Sequence, residues 1–153
     1  MLGIVFLLQV CSKPEPIQQL FMSLSPAVTN ITFENNVDEE ELFNSINYLY
    51  FYDGGGVAVG DINNDGLADI YFTSNMYTNH LYLNKGEFYF EDITQKAGVY
   101  GGMEGWTTGV TMADVNGDRF LDIYVCYSNL FDKKGANLLF INNGDLTFTE
   151  RAT

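Results

Sequence analysis

Two stretches of the chain repeat the same order of apolar and polar positions. Residues 56–72 read as a short apolar strand, a loop of alternating acidic and amide residues, and a second apolar strand. The same order returns at residues 109–125, and the offset is constant through this core, because 114 − 61 = 53. A repeat of about this period is typical of modular architectures in which each unit buries its apolar face against the next unit.

Each repeat contains four short apolar segments separated by turn residues, and this pattern predicts four strands in each repeat. The last two segments of each set flank tight turns that contain Gly86 and Gly144, which is a strong hairpin signal. The sequence therefore predicts an all-β protein built from two four-stranded antiparallel repeats, the blades of an incomplete β-propeller. The expected strands are at about 56–62, 68–74, 79–84 and 88–93, and then at about 109–115, 121–128, 137–142 and 146–151.

The beginning of the chain differs in composition from the repeats. Residues 1–11 contain an apolar run that is too short to span a bilayer and end at Cys11. This arrangement is similar to the end of a bacterial lipoprotein signal peptide, in which the cysteine becomes the lipidated residue. Cys11 is therefore a lipidation candidate, and the only membrane association that we expect is through such an anchor. The alternative is a buried first strand.

Three regions follow from these patterns. We expect a signal peptide or lipoprotein-like segment at residues 1–11, a linker and docking segment at residues 12–41, and the repeat region at residues 42–153. Within the repeat region, the blades are expected at about 50–97 and 103–153. The aromatic-rich residues 47–52 suit a strand, and the acidic residues 37–43 suit either a helical turn or a charged loop.

The loop of each repeat carries oxygen-bearing side chains at positions 1, 3, 5 and 9. A tight turn can point alternate side chains inward, and calcium takes six to eight hard oxygen ligands in a flexible shell. The carbonyl of position 7 would add a backbone ligand. We therefore predict two structural calcium sites. Their candidate ligands are Asp61, Asn63, Asp65, Leu67 and Asp69 in the first loop, and Asp114, Asn116, Asp118, Phe120 and Asp122 in the second loop.

Other interpretations of the loops remain. Both loops lack cysteine and histidine, which argues against zinc or copper, whereas magnesium is the nearest competitor. An EF-hand is excluded because its position 12 is glutamate, and here position 12 is Phe72 or Val125. A plain solvated turn is the simplest alternative. At position 6, Gly66 permits a left-handed backbone, but Arg119 would adopt it at a cost of roughly 1 kcal/mol, so we expect the second site to be weaker.

The composition narrows the class of function. The chain has 153 residues, of which 46% are hydrophobic, so it is not disordered. A formal net charge of −13 argues against nucleic acid, because phosphate contacts need clustered lysine and arginine. An excess of acid is also what a protein that binds hard cations would carry.

The repeated motifs resemble the FG-GAP/VCBS repeat. The resemblance lies in residues 56–72, 81–84 and 90–94, and it extends over about residues 42–153. More narrowly, the sequence is similar to bacterial surface proteins related to cartilage acidic protein, of the ASPIC/UnbV type. The resemblance implies a calcium-stiffened β-propeller at the cell surface or outside the cell that binds proteins or glycans. Because two blades do not close a propeller, we also expect an N-terminal piece of a longer protein.

The leading functional hypothesis is a non-catalytic, calcium-stabilised binding module that is secreted or displayed on the cell surface as a lipoprotein. Its ligand would be an extracellular protein or a glycan, met by the loops around Trp106 and residues 127–136. For Trp106 itself, simple packing between blades is the favoured role. We predict no catalytic residue, and His80, the sole histidine, is expected at the surface. The alternatives are part of a propeller-based polysaccharide-degrading enzyme and a purely structural or adhesive subunit.

Overall fold

The structure, a computed structural model, describes residues 20–41, 43–101, 105–128 and 135–152. In these residues the chain is all-β, with two four-stranded antiparallel sheets whose strands follow one another in sequence order. Two one-turn helices, α1 (Pro26–Thr29) and α2 (Thr94–Ala97), precede and follow the first sheet. The strands are β1 (Val57–Gly60), β2 (Asp69–Phe72), β3 (His80–Asn84) and β4 (Phe90–Asp92), then β5 (Trp106–Ala113), β6 (Asp122–Ser128), β7 (Leu138–Asn142) and β8 (Phe148–Glu150).

The two sheets confirm the predicted all-β class with two four-stranded antiparallel repeats. The largest difference is at β5, which begins at Trp106 instead of the expected residue 109. The extra residues pair with the far end of β6, beyond an irregularity between Thr107 and Val110. Trp106 therefore belongs to a strand and not to the connection between the repeats.

Alternation along β2 explains how the first sheet buries one face. Asp69 and Tyr71 are buried, whereas Ile70 and Phe72 are only partly buried, as expected for side chains that point to opposite faces. The end of β1 pairs with the start of β2, where Gly60 lies opposite Asp69. The loop between these strands therefore closes as a compact turn at the end of the sheet.

The two sheets share one hydrophobic core. Buried side chains from the first sheet and from the segment after it, among them Tyr71, Leu81 and Val99, form a single cluster with Ile123 and Val125 of β6. The first strands of the sheets also approach closely: a Cβ atom at Gly56 would lie 2.8 Å from the carbonyl oxygen of Thr108. Only glycine allows this contact, which fixes the position of one sheet against the other.

The segment before the first sheet does not form the expected strand. Residues 47–52 adopt turns, in which the backbone N–H of Tyr48 donates to Asn44 and that of Phe51 donates to Tyr48. No helical turn forms in the described part of residues 37–43 either. The aromatic residues serve another purpose, because Phe51 and Phe43 are buried against Trp106 in a second, smaller core.

An extended segment further upstream covers the other face of the first sheet. The ring of Phe33 stacks on Phe72 with 4.9 Å between the ring centroids. Asn30 Nδ2 donates to the carbonyl oxygen of Phe90 at 3.0 Å, and the backbone N–H of Thr32 donates to the Tyr82 hydroxyl at 3.4 Å. Because Phe72 alternates with the buried Tyr71, this segment lies on the face of the sheet opposite the shared core.

Some expectations concern parts of the chain that the structure does not describe. Cys11 and the proposed signal segment at residues 1–11 lie outside the described residues. The division of the chain at residues 11 and 41 therefore stays a prediction. Within the described residues, no helix is long and apolar enough to cross a membrane.

Candidate functional site

The two predicted loops lie at the same end of their sheets and contact each other. Residues 61–68 join β1 to β2, and residues 114–121 join β5 to β6. Asn64 Nδ2 in the first loop donates to the carbonyl oxygen of Arg119 in the second loop at 3.2 Å. The repeat of sequence motifs is thus also a spatial pair of neighbouring loops.

In the first loop, the side chains at positions 1, 3 and 5 organise the turn. The carboxylate of Asp61 accepts hydrogen bonds from the backbone N–H groups of Asp65, at 3.1 Å, and Gly66, at 2.8 Å. Asp65 Oδ1 accepts the backbone N–H of Leu67 at 2.8 Å, and its Oδ2 accepts Asn63 Nδ2 at 2.9 Å. These oxygens are therefore gathered within one short turn.

The second loop repeats these bonds at the equivalent positions. Asp114 Oδ2 accepts the backbone N–H of Arg119 at 2.9 Å, and Asp114 Oδ1 accepts that of Asp118 at 3.2 Å. Asp118 in turn accepts Asn116 Nδ2 and the backbone N–H of Phe120, both at 2.8 Å. The backbone N–H donors, led by that of Arg119, lower the pKa of Asp114 below its usual value.

The aspartates at position 9 have a different environment, because both are buried at the start of a strand. Asp69 Oδ2 accepts the backbone N–H of Ile62 at 2.9 Å, and Oδ1 accepts that of Asn84, the last residue of β3, at 2.8 Å. Asp122 makes the equivalent bonds to Val115, at 3.0 Å, and to the last residue of β7, at 2.9 Å. Each position-9 aspartate therefore ties its loop to the third strand of the sheet.

Burial raises the pKa of Asp69 above its usual value, although the backbone N–H groups of Asn84 and Ile62 oppose the shift. The neighbouring charges of Asp65 and Asp61 act in the same direction as burial. The negative charge of the first loop is thus energetically unfavourable at its buried end.

The donor set suits a hard cation, since every candidate ligand is an oxygen. The structure nevertheless directs many of these oxygens to backbone N–H groups. Across residues 20–41, 43–101, 105–128 and 135–152, no group of three or more His, Cys, Asp or Glu side chains is arranged to hold a metal ion. The calcium ligands, including the carbonyls of Leu67 and Phe120, therefore stay predictions.

The loop backbones have two left-handed positions each. In the first loop they are Asn64, with φ of 60°, and Gly66, with φ of 86°; in the second loop they are Gly117, with φ of 82°, and Arg119, with φ of 76°. The expected left-handed arginine is confirmed. Glycine is at position 6 in the first loop and at position 4 in the second loop. Each loop therefore has a glycine, which adopts this conformation without strain, at one of its two left-handed positions.

Sequence reasoning missed the residues that connect the loops to the third strands. Asn142, at the end of β7, is 3% exposed, and its Nδ2 donates to the carbonyl oxygens of Ile62 at 2.8 Å and Leu121 at 3.1 Å. It therefore bridges both loops. Its equivalent in the first sheet is Asn84, because 142 − 84 = 58, the offset of the hairpin turns. The recurrence of asparagine at these two positions was the signal that the sequence offered. It was not recognised, because an asparagine two residues before a glycine is already explained by the hairpin turn.

Comparison with known proteins agrees with this repeated loop-and-sheet unit. A family model described as an FG-GAP-like repeat matches residues 61–125, which run from the first loop to the end of the motif in β6. The chain contains an FG-GAP-like repeat. It is also 37% identical over 106 residues to cartilage acidic protein 1 of Xenopus tropicalis. That alignment covers 67% of this chain and 16% of the relative, so the chain spans about a sixth of the length of this relative.

The two sheets are thus blades of the kind expected for FG-GAP-like repeats, and Trp106 of the second blade lies in the smaller core that it forms with the segment before the first sheet. Trp106 is 2% exposed, and its ring centroid lies 5.0 Å from that of Phe43 and 5.5 Å from that of Phe51. A packing role, which the sequence favoured for Trp106 over contact with a ligand, is therefore what the structure shows, although the packing partners come from the segment before the first sheet. Of the loop at residues 127–136, residues 129–134 lie outside the described part of the chain.

His80 is not a freely exposed surface residue of the FG-GAP-like repeat. Its side chain is 31% exposed, and Nδ1 lies 2.7 Å from Oδ2 of Asp92 across the β3–β4 pair. Burial opposes ionisation of Asp92, but hydrogen bonds from Thr94 and His80 prevail and lower the pKa of its carboxyl. His80 also borders a groove that sequence reasoning did not anticipate.

Proposed function

We propose that this chain is a non-catalytic binding module of an extracellular protein, and that each of its two Asp/Asn loops holds one calcium ion. The observation that supports the proposal best is the duplication of the loop. Two neighbouring turns have the same oxygen side chains and the same hydrogen bonds, and a buried aspartate ties each of them to its sheet. A solvated turn does not require four oxygen side chains at equivalent positions in two adjacent blades.

Electrostatics also favours a bound cation. Each loop brings three carboxylates into one turn, and in the first loop Asp61 and Asp65 raise the pKa of the buried Asp69. A calcium ion would supply positive charge and oxygen coordination to the side chains at positions 1, 3, 5 and 9 and to the position-7 carbonyl. The protein's own part is to hold these groups in one turn through the backbone N–H donors already described.

The binding role rests on the family and on the relative. FG-GAP-like repeats suggest an extracellular module for binding or adhesion, and the related protein is named cartilage acidic protein 1. The protein or glycan ligand, and a surface or secreted location with or without a lipid on Cys11, are part of the proposal. The lack of catalysis is supported by the engagement of the loop carboxylates with backbone N–H groups.

The proposal is tested by thermal unfolding of the chain in EDTA and after addition of calcium or magnesium. A ligand that binds only the native state stabilises it by about 2.7 kcal/mol when its concentration is 100 times the dissociation constant. We expect calcium to raise the melting temperature and an equal concentration of magnesium to raise it much less. A folded chain whose melting temperature is the same in EDTA and in calcium would contradict the proposal.

Matched variants assign the effect to the loops. Asp65→Ala and Asp118→Ala remove equivalent side chains, and each should remove part of the calcium-dependent increase. Asp118→Ala should remove less, because the strained Arg119 makes the second site weaker. Glu40→Gln removes one exposed negative charge outside the loops and should leave the full increase. An equal loss in all three variants would indicate nonspecific charge screening instead of two sites.

A further inference from the structure

A groove of about 410 Å³ lies beside the first sheet, next to the stack of Phe33 on Phe72. One wall is the extended segment at residues 32–38, and the other is the connection from β2 to β3 at residues 77–80. None of the predicted calcium ligands borders it. The residues that line the groove are Thr32, Phe33, Glu34, Asn36, Asp38, Tyr77, Thr78 and His80.

The wall formed by the extended segment is held in place by specific contacts. Phe33 stacks on Phe72, and Asn35 Nδ2 donates to Asn75 Oδ1 at 2.6 Å. Asn35 Oδ1 accepts the backbone N–H of the buried Asn75 at 2.9 Å. The groove therefore exists before any ligand binds, so a ligand would not have to order this segment, which favours affinity.

The charge of the groove is negative. Among the described residues, two carboxylates, Glu34 and Asp38, line it, and no lysine or arginine does. The one basic lining residue, His80, already has the carboxylate of Asp92 2.7 Å from its Nδ1. Tyr77 donates its hydroxyl hydrogen bond to Asp38 across the groove and holds that carboxylate in position. An anionic ligand is therefore disfavoured.

Aromatic rings make up much of the remaining lining. Phe33, Tyr77 and His80 all border the groove, and the Tyr77 side chain is exposed. A cation placed against an aromatic face is attracted by the ring quadrupole, and a nearby carboxylate adds a charge-assisted hydrogen bond. Only two carboxylates are among the described lining residues, whereas calcium takes six to eight oxygen ligands, so the groove does not form a metal chelate. This combination favours an organic cation.

We propose that this groove binds a lysine or arginine side chain of a partner protein. The inference deepens the proposed function, since it identifies a place where the binding module would recognise its partner, and it rests on that function. The formal net charge of −13 would also attract a basic partner over distances of about a Debye length. Glu34 and Asp38 bind the charged end, and the rings of Phe33 and Tyr77 contact the aliphatic stem.

The test is an NMR titration of the isotope-labelled chain with a short peptide at about physiological ionic strength. The peptide has blocked termini and carries one lysine as its only charged group. The comparison peptide has norleucine in place of the lysine. We expect the lysine peptide to shift the backbone amide signals of residues 32–38 and 77–80, and to bind about tenfold more tightly than the norleucine peptide. Equal affinity for the two peptides would overturn the proposal.

Variants locate the binding. Asp38→Asn and Tyr77→Leu should each weaken binding of the lysine peptide by roughly five- to tenfold. The controls are Glu91→Gln, which removes an exposed charge from β4, and Tyr89→Leu, which removes an exposed ring outside the groove. These controls should bind as the unaltered chain does. Equal weakening in groove variants and controls would overturn the proposal, and so would groove shifts caused by a neutral methyl glycoside but not by the lysine peptide.

The same samples separate this inference from the calcium proposal. Each variant is also melted in EDTA and in calcium, and the groove variants should keep the full calcium-dependent increase. If the increase is present but the lysine peptide does not bind, the groove assignment is wrong while the calcium sites stand. If the lysine peptide binds in the groove of a chain that is indifferent to calcium, the groove is supported and the calcium sites are wrong.

Discussion

Replacement of Asn142 by alanine should show how strongly the two blades are coupled at their loops. The Asn142 side chain is buried, and its Nδ2 donates to the carbonyl oxygen of Ile62 in the first blade and to that of Leu121 in the second blade. Its Oδ1 accepts the backbone N–H of Gly144 at 2.9 Å. Asn142→Ala removes all three hydrogen bonds but keeps the backbone N–H that donates to Asp122.

The chain contains a matched control at the equivalent position of the first blade. Asn84 Nδ2 donates to the carbonyl oxygen of Ala68 at 2.9 Å, and its Oδ1 accepts the backbone N–H of Gly86 at 2.9 Å. Its side chain makes no hydrogen bond to the second blade within the described residues. Asn84→Ala therefore removes the same contacts within a blade and leaves the contact between blades intact.

The strength of the coupling between the blades is the difference between the losses in the free energy of unfolding that the two variants cause. A net hydrogen bond contributes about 0.5–1.5 kcal/mol, and a buried polar group left without a partner costs about 1–3 kcal/mol. Ile62 is 1% exposed, so water does not readily replace the lost donor at its carbonyl oxygen. We expect Asn142→Ala to lower the free energy of unfolding by about 1–3 kcal/mol more than Asn84→Ala does.

The assay is equilibrium unfolding in urea, followed by the fluorescence of Trp106, which is the single tryptophan and is buried. The free energy of unfolding comes from the midpoint and the slope, and an unchanged slope shows that the variant changes stability and not the extent of unfolding. Equal costs for the two variants, or a larger cost for Asn84→Ala, would refute the idea that Asn142 couples the blades.

Two further substitutions test the backbone and the core. Arg119→Gly should raise the free energy of unfolding by up to about 1 kcal/mol, because φ of 76° is sterically costly for a residue with a Cβ atom. Gly66→Ala should lower the free energy of unfolding for the same reason. An Arg119→Gly variant that is less stable than the unaltered chain would contradict this account. Tyr71→Phe should lower the free energy of unfolding by about 1–2 kcal/mol, because the buried hydroxyl donates to the carbonyl oxygen of Val99 at 2.7 Å. Burial also raises the pKa of Tyr71 above its usual 10.0 in the folded chain. The stability that the protonated Tyr71 contributes is therefore present below about pH 10. As the pH rises further, the unfolded chain loses this proton first, and the free energy of unfolding falls by up to about 1.4 kcal/mol per pH unit. Urea midpoints between pH 8 and 11 should therefore fall more steeply for the unaltered chain than for Tyr71→Phe, and parallel profiles would refute the assignment.

Local features of the sequence determined the strands and loops. The alternation around Ile70 and Tyr71 and the Asn/Gly turns at residues 84–87 and 142–145 specify strands and hairpins through nearest neighbours alone. The left-handed Gly66 and Arg119 could also be predicted, since they occupy the same position of a duplicated turn. These predictions succeed because a two-residue side-chain period and the steric preferences of φ act within a few residues.

Only the tertiary structure decided how the remaining residues are used. The aromatic residues at 47–52 have the composition of a strand, but they form turns because Phe51 is buried against Trp106, which lies far away in the sequence. In the same way, the role of Asn142 depends on a carbonyl group 80 residues earlier in the chain, and the groove exists because Phe33 stacks on the first sheet. A burial gain or a hydrogen bond between distant segments outweighs a local preference of a few tenths of a kcal/mol, and the sequence pattern carries no direct record of such pairs.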